Sequence, residues 1–246
     1  MQTLKKQLEI LLLHYFRQCY PDFPKGKVIP SESPDFIISL KSKNNIGVEL
    51  TRLNPLNAKV PDQNELAQRK VNEHITQTAK QLFKNTSPFP LFVKFLFSEK
   101  YLVKKESALV VAAQTANIIR KAVRNRNRED YFHVLLNSGN LPRGIDEILL
   151  AGHPQLKYSI WERSNNLGIS KNVIADIHES IKKKDEKLNL YQKQRLNFYW
   201  LLITTDRVRG VKNINLTEKI NNLRFKSRFQ HVFLLDLIKS SVFQLV

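Results

Sequence analysis

Two short apolar runs divided by a brief polar link constrain this chain most. Asp35-Phe-Ile-Ile-Ser-Leu40 is followed by Lys41 to Asn45 and then by Ile46-Gly-Val-Glu-Leu-Thr51. Both runs are too short for helices, and the link is too short for a crossover. They read as two antiparallel strands of one hairpin. A strand has a period of two, so Glu49 and Thr51 share a face, and Asp35, Ile37 and Ser39 share a face. Pairing symmetrically about Lys43 would set Asp35 opposite Thr51 and Ile37 opposite Glu49. Asp35 and Glu49 then become diagonal neighbours on one face. Two carboxylates so close repel, and each is hard to keep charged in a half-buried site. A hard divalent cation such as Mg²⁺ or Mn²⁺ resolves the conflict and keeps water ligands for chemistry. Taken singly, Glu49 reads as a surface-facing strand residue and Asp35 as a turn former after Pro34. Their joint placement across one hairpin favours the metal.

Around the hairpin, helical and strand patterns alternate. Leu4, Leu8, Leu11, Leu12, Tyr15, Phe16 and Cys19 recur at helical spacing, predicting a helix over 2–19 that ends at Pro21 and Pro24. Lys27 to Ile29 reads as a short strand. A loop with Pro55 and Pro61 precedes a helix capped by Asp62 and reaching about Lys84, with Val71, Ile75, Thr78, Ala79 and Leu82 inward. After Pro88 and Pro90, Leu91 to Phe97 is apolar enough for a strand covered on both faces. A further helix over about 105–125 is expected to bury Leu109, Ala112, Ala116, Ile119 and Val123. Residues 145–151, 157–163, 198–204, 231–236 and 242–246 read as strands, and Ser170 starts a helix reaching about Tyr191. The expected class is α/β, with one mixed central sheet flanked by helices. Residues 1–100 form its core, and 101–246 form an extension packed on the same sheet. Phe36, Ile38, Val48, Leu50, Val93, Phe95, Leu201 and Ile203 are the expected core.

Charge points to the partner. Among 246 residues, 40 are Lys or Arg and 22 are Asp or Glu, a net charge of +18. Such an excess calls for a polyanion, most simply nucleic acid, although solubility alone would also raise it. Cys19 is the only cysteine, which excludes an internal disulfide and a cysteine-rich zinc module. The 6 histidines show no ligand spacing, and the 7 glycines form no nucleotide-binding loop. No G-x-S-x-G elbow is present. Trp161 and Trp200 sit in apolar patterns and read as core. No apolar run is long enough to span a membrane, and the N-terminal segment lacks the pattern of a signal peptide, so a cytoplasmic protein is expected.

Ser33-Pro34-Asp35 followed by Gly47-Val48-Glu49-Leu50-Thr51 resembles the PD-(D/E)XK nuclease superfamily. The resemblance covers about the first hundred residues and implies a restriction-endonuclease-like core of helix, three strands, helix and strand. It implies metal-ligand roles for Asp35 and Glu49. It also implies a possible third ligand on the first helix, where Glu9 is the only acidic residue. The family's lysine would stand where this chain has Thr51. That lysine orients water or offsets charge in the transition state, and in some relatives it comes from a neighbouring element. Lys70 is the first substitute expected, Arg52 and Lys41 are others, and Lys70 could equally be a solvated helix charge. The implied activity is Mg²⁺- or Mn²⁺-dependent hydrolysis of DNA, with a homodimer possible. An inactive nucleic-acid-binding relative of the same fold is the alternative, favoured by Thr51. An RNA-directed enzyme is a third reading.

Outside the hairpin, Arg120, Lys121, Arg124, Arg126 and Arg128 crowd one helix end. They suit phosphate contacts, or else complement the helix dipole at a solvated end. Lys182, Lys183, Lys184 and Lys187 are offset by Asp185 and Glu186 and look like an exposed face. They could still line an approach to the site if that helix lies beside the sheet.

Overall fold

The computed structural model describes residues 3–53, 62–87, 89–164, 172–206 and 223–246. The Pro55 and Pro61 loop, Pro88 and the helix start at Ser170 lie outside them. The described residues form an α/β structure with two mixed sheets rather than one. The chain divides into two compact units, Met1–Leu11 with Pro61–Asn165, and Leu12–Val60 with Asn166–Val246. The sequence patterns identify strands well but do not state which strands hydrogen-bond to one another, and that pairing separates the sheets.

In the first unit, helix α2 (Gln63–Lys84) starts at Asp62 with a reciprocal capping box, and a second helix, α3, spans Ala108–Val123. The Asp62 side chain accepts from Glu65 N, and the Glu65 side chain accepts from Asp62 N. The unit's four-stranded sheet has the order β5 (Phe132–Asn137), β6 (Ile145–Gly152), β4 (Phe92–Phe97), β7 (Ile160–Arg163). Strand β4 is buried throughout, as its apolar run requires. Val93, Phe95 and Phe97 share a cluster with Ile75, Ala79 and Phe83 of α2 and Ala112, Ala116 and Ile119 of α3. Leu109 is exposed, contrary to expectation, because the buried stripe of α3 runs through Ala108, Val111, Ala112, Thr115 and Ala116. Lys94 is fully buried in β4 and pairs with Glu162, its neighbour on β7, at 3.0 Å. That pairing removes the cost of an uncompensated buried charge. Strand β5 has no counterpart among the strands expected from the sequence, where the consecutive Val134, Leu135 and Leu136 break the alternation of apolar and polar residues.

In the second unit, β1 (Gly26–Pro30), β2 (Phe36–Leu40) and β3 (Asn45–Arg52) form an antiparallel meander. Strand β8 (Phe198–Thr205) joins β3 in parallel, and β9 (His231–Asp236) joins β8 in parallel. Strand β10 (Ser241–Gln244) closes the six-stranded sheet by pairing antiparallel with β9. Helix α1 (Leu4–Cys19) ends in this unit, where Phe16 packs on Phe233 at 5.0 Å and the following Tyr20 packs on it at 4.9 Å. On the opposite face, helix α4 (Val173–Tyr191) packs Ile177, Ile181 and Leu188 against Tyr199, Leu201 and Ile203 of β8. Its first turn is capped by Asn172, whose side chain accepts from Ala175 N. Seven of the eight expected core residues are buried, and Leu50 is half-buried. No helix among the described residues is long and apolar enough to cross a membrane.

Candidate active site

The hairpin forms as expected but in a different register. Phe36 pairs with Val48, Ile37 with Gly47, Ile38 with Ile46 and Ser39 with Asn45. One further step of that register opposes Asp35 directly to Glu49, rather than setting them on a diagonal. The turn explains the shift. Lys43 N donates to Leu40 O, Leu40 N donates to Asn44 O, and Lys43 takes φ 65°. A tight turn followed by a left-handed residue makes the hairpin centre on Ser42 instead of Lys43. Shifting the centre by one residue moves the pairing sum by two, so both carboxylates stay on one face.

Asp35 and Glu49 are both buried. The Asp35 carboxylate is held by the strand itself, because its Oδ2 accepts from Leu50 N at 2.8 Å. Gly47, on the Glu49 face, is where a side chain would collide: an added Cβ would lie 2.7 Å from Pro34 Cγ and 2.8 Å from Leu196 Cδ1.

The face that carries Glu49 is covered by α4, and α4 supplies the cation. Lys184 Nζ donates to Glu49 Oε1 at 2.7 Å, and the two side chains are only 19% and 9% exposed. Tyr191 Oη donates to the same oxygen at 2.9 Å. Tyr199 Oη in turn donates to Tyr191 O at 3.4 Å, tying β8 to the end of α4. Burial raises the Tyr191 hydroxyl above the ordinary tyrosine range, and the charges of Glu49 and Asp35 push it further the same way. The phenol therefore remains a donor to Glu49 at neutral pH.

One atom of this cluster lacks a partner. Glu49 Oε2 is buried and accepts no hydrogen bond. A buried carboxylate oxygen without a donor is costly, and beside Asp35 it presents hard oxygen to a cation. The donor set fits Mg²⁺ or Mn²⁺ through Asp35 and Glu49. No group of three or more His, Cys, Asp or Glu side chains suited to a metal occurs among the described residues.

The other expected site residues have the following surroundings. Glu9 belongs to the first unit, and its carboxylate is engaged by Lys5 at 3.4 Å and Lys6 at 3.1 Å. Lys70 also belongs to the first unit and is exposed on α2. Lys41 is exposed in the hairpin turn, and Arg52 lies 4.0 Å from Asp206. Among the described residues, Lys184 is the cation that pairs with Glu49. Arg120, Lys121, Arg124, Arg126 and Arg128 lie at the end of α3 and just beyond it, in the first unit.

Lys184 and Tyr191 are legible from the sequence in one respect. Ile177, Ile181, Lys184, Leu188 and Tyr191 follow one helical stripe at spacings of four, three, four and three. A lysine within an otherwise apolar stripe points inward and needs a buried partner. The neighbouring lysines and acids of α4 obscure that signal.

Comparison with protein-family models, curated proteins and solved structures finds no match to this chain.

Proposed function

We propose that the chain is a metal-dependent phosphodiester hydrolase acting on DNA, built on a restriction-endonuclease-like core. The order α1, β1, β2, β3, then α4 and β8 supports this reading, with β8 parallel to β3. Residues 61–165 would then be a large insertion between the third strand and the second helix of that core. The observation that carries the proposal is the ion pair of Lys184 with Glu49, next to the orphaned Oε2. It returns a lysine to a site whose strand carries Thr51 instead.

Asp35 and Glu49 would hold Mg²⁺ or Mn²⁺, which polarises a phosphate oxygen and lowers the pKa of a bound water. Asp35 is fixed for that task by the Leu50 amide. Tyr191 holds Oε1 of Glu49 and so orients Oε2. Lys184 brings a positive charge to the place where negative charge grows on the phosphoryl group. The wall formed by Tyr199, Leu201 and Ile203 lowers the local dielectric and strengthens that interaction.

Incubation of the purified chain with supercoiled and linear DNA tests the proposal. Cleavage should require Mg²⁺ or Mn²⁺, stop on chelation and be abolished by Glu49→Ala. Activity that survives both treatments would place the chemistry elsewhere. DNA binding without metal-dependent cleavage would favour the inactive binding protein. Competition by RNA distinguishes the nucleic acid acted on.

A further inference from the structure

The first unit carries a strongly basic helix end. Helix α2 ends with Lys84, and the last turn of α3 carries Arg120 and Lys121. A hydrogen bond joins the two ends: Arg120 Nε donates to Thr86 Oγ1 at 3.0 Å. Arg120 Nη1 also donates to Asn117 Oδ1 at 3.3 Å. The guanidinium is thus held across two helices by neutral oxygens. Its position is fixed and its charge is not cancelled. Arg126 is held by another neutral group, with its guanidinium 5.5 Å from the centre of the Phe132 ring. Lys84, Lys121, Arg124, Arg126 and Arg128 are exposed. Among the described residues no carboxylate forms an ion pair with any of the five expected cations, although Glu129 and Asp130 follow them directly in sequence. Complementing two helix dipoles needs a charge in each last turn, which Lys84, Arg120 and Lys121 already supply. Arg124, Arg126 and Arg128 lie beyond the helix, so the dipole does not account for them.

We propose that this end of α2 and α3 grips the phosphate backbone of a DNA duplex, so that the inserted unit binds substrate independently of its sequence. Planar guanidinium groups held by neutral partners suit phosphate oxygens, which they can engage through paired donors. The inference rests on the hydrolase reading for its choice of DNA, but its test does not require cleavage.

The experiment measures binding of the full chain to a fluorescent DNA duplex by anisotropy, with chelator present, over a series of salt concentrations. Arg120→Gln with Arg124→Gln should weaken binding to duplexes of unrelated sequence alike. The slope of log affinity against log salt should fall by about 0.9 for each phosphate that the variant no longer neutralises. Lys121→Gln with Arg128→Gln, which leaves the Arg120 and Thr86 bond intact, should act in the same direction. Unchanged affinity and slope in both double variants, with unchanged thermal unfolding, would overturn the grip. If the wild-type chain binds through this patch and cleaves nothing, the hydrolase reading fails while the grip stands.

Discussion

Lys184 Nζ lies 2.7 Å from Glu49 Oε1, joining α4 to β3 across 135 residues of sequence. On the proposed hydrolase reading, this ion pair sets the lysine beside the metal site. Lys184→Ala should lower the rate of DNA cleavage by about 10²–10³, the usual cost of removing one group that stabilises transition-state charge. Lys184→Arg should recover little, because a planar fork does not replace a compact ammonium. Lys70→Ala should leave the rate unchanged. Single-turnover rates with saturating enzyme separate these effects from binding.

On the proposed reading, Tyr191 would act through Glu49, to which it donates a hydrogen bond. Tyr191→Phe keeps the ring in its cluster and removes the donor to Oε1. The dependence of cleavage on Mg²⁺ concentration should shift upward by about 10–100-fold, as expected for a partner that orients a metal ligand. The maximal rate at saturating metal should fall much less. A merely structural role would lower thermal stability without moving the metal dependence.

Alkaline stability reports on a second buried phenol. Tyr15 donates to Leu237 O and lies within hydrogen-bond distance of Ser240 Oγ, and burial pushes its pKa from 10.0 up to about 12. The folded state holds that proton more tightly than the unfolded chain. The stabilisation is therefore complete below pH 10.0 and is lost as pH rises towards about 12. Its size is on the order of 2 kcal/mol across that window. Urea unfolding at a series of alkaline pH values should show this decline, and Tyr15→Phe should make it shallower.

Strand alternation is local, and it made the hairpin, its carboxylate face and most of the core visible in the sequence. Asp35 and Glu49 share a face in either register, so a turn centred one residue away leaves them together. Asp62 and Glu65 likewise announce the start of α2 over four residues. Sheet membership was hidden, since it depends on β3 meeting β8 across about 150 residues and not on anything in either strand. The partner of Glu49 was hidden for the same reason. Lys70 follows the hairpin most closely in sequence, but its helix belongs to the other unit, and the helix that covers Glu49 comes after residues 61–165. Leu109 shows the opposite limit. Its apolar side chain promised burial, yet the small residues Ala108, Ala112 and Ala116 take the packed face of α3 and leave it exposed.

Metal affinity tests the central claim, a cation held by Asp35 and Glu49, most directly. Mn²⁺ binding to the full chain, followed by calorimetry without DNA, reads the site without relying on turnover. Wild type should bind Mn²⁺. Glu49→Gln, which keeps the shape but removes the charge, should weaken that binding at least about tenfold. Asp35→Asn should act likewise, and Glu9→Gln should leave affinity unchanged. Full Mn²⁺ affinity in both Glu49→Gln and Asp35→Asn would contradict the site.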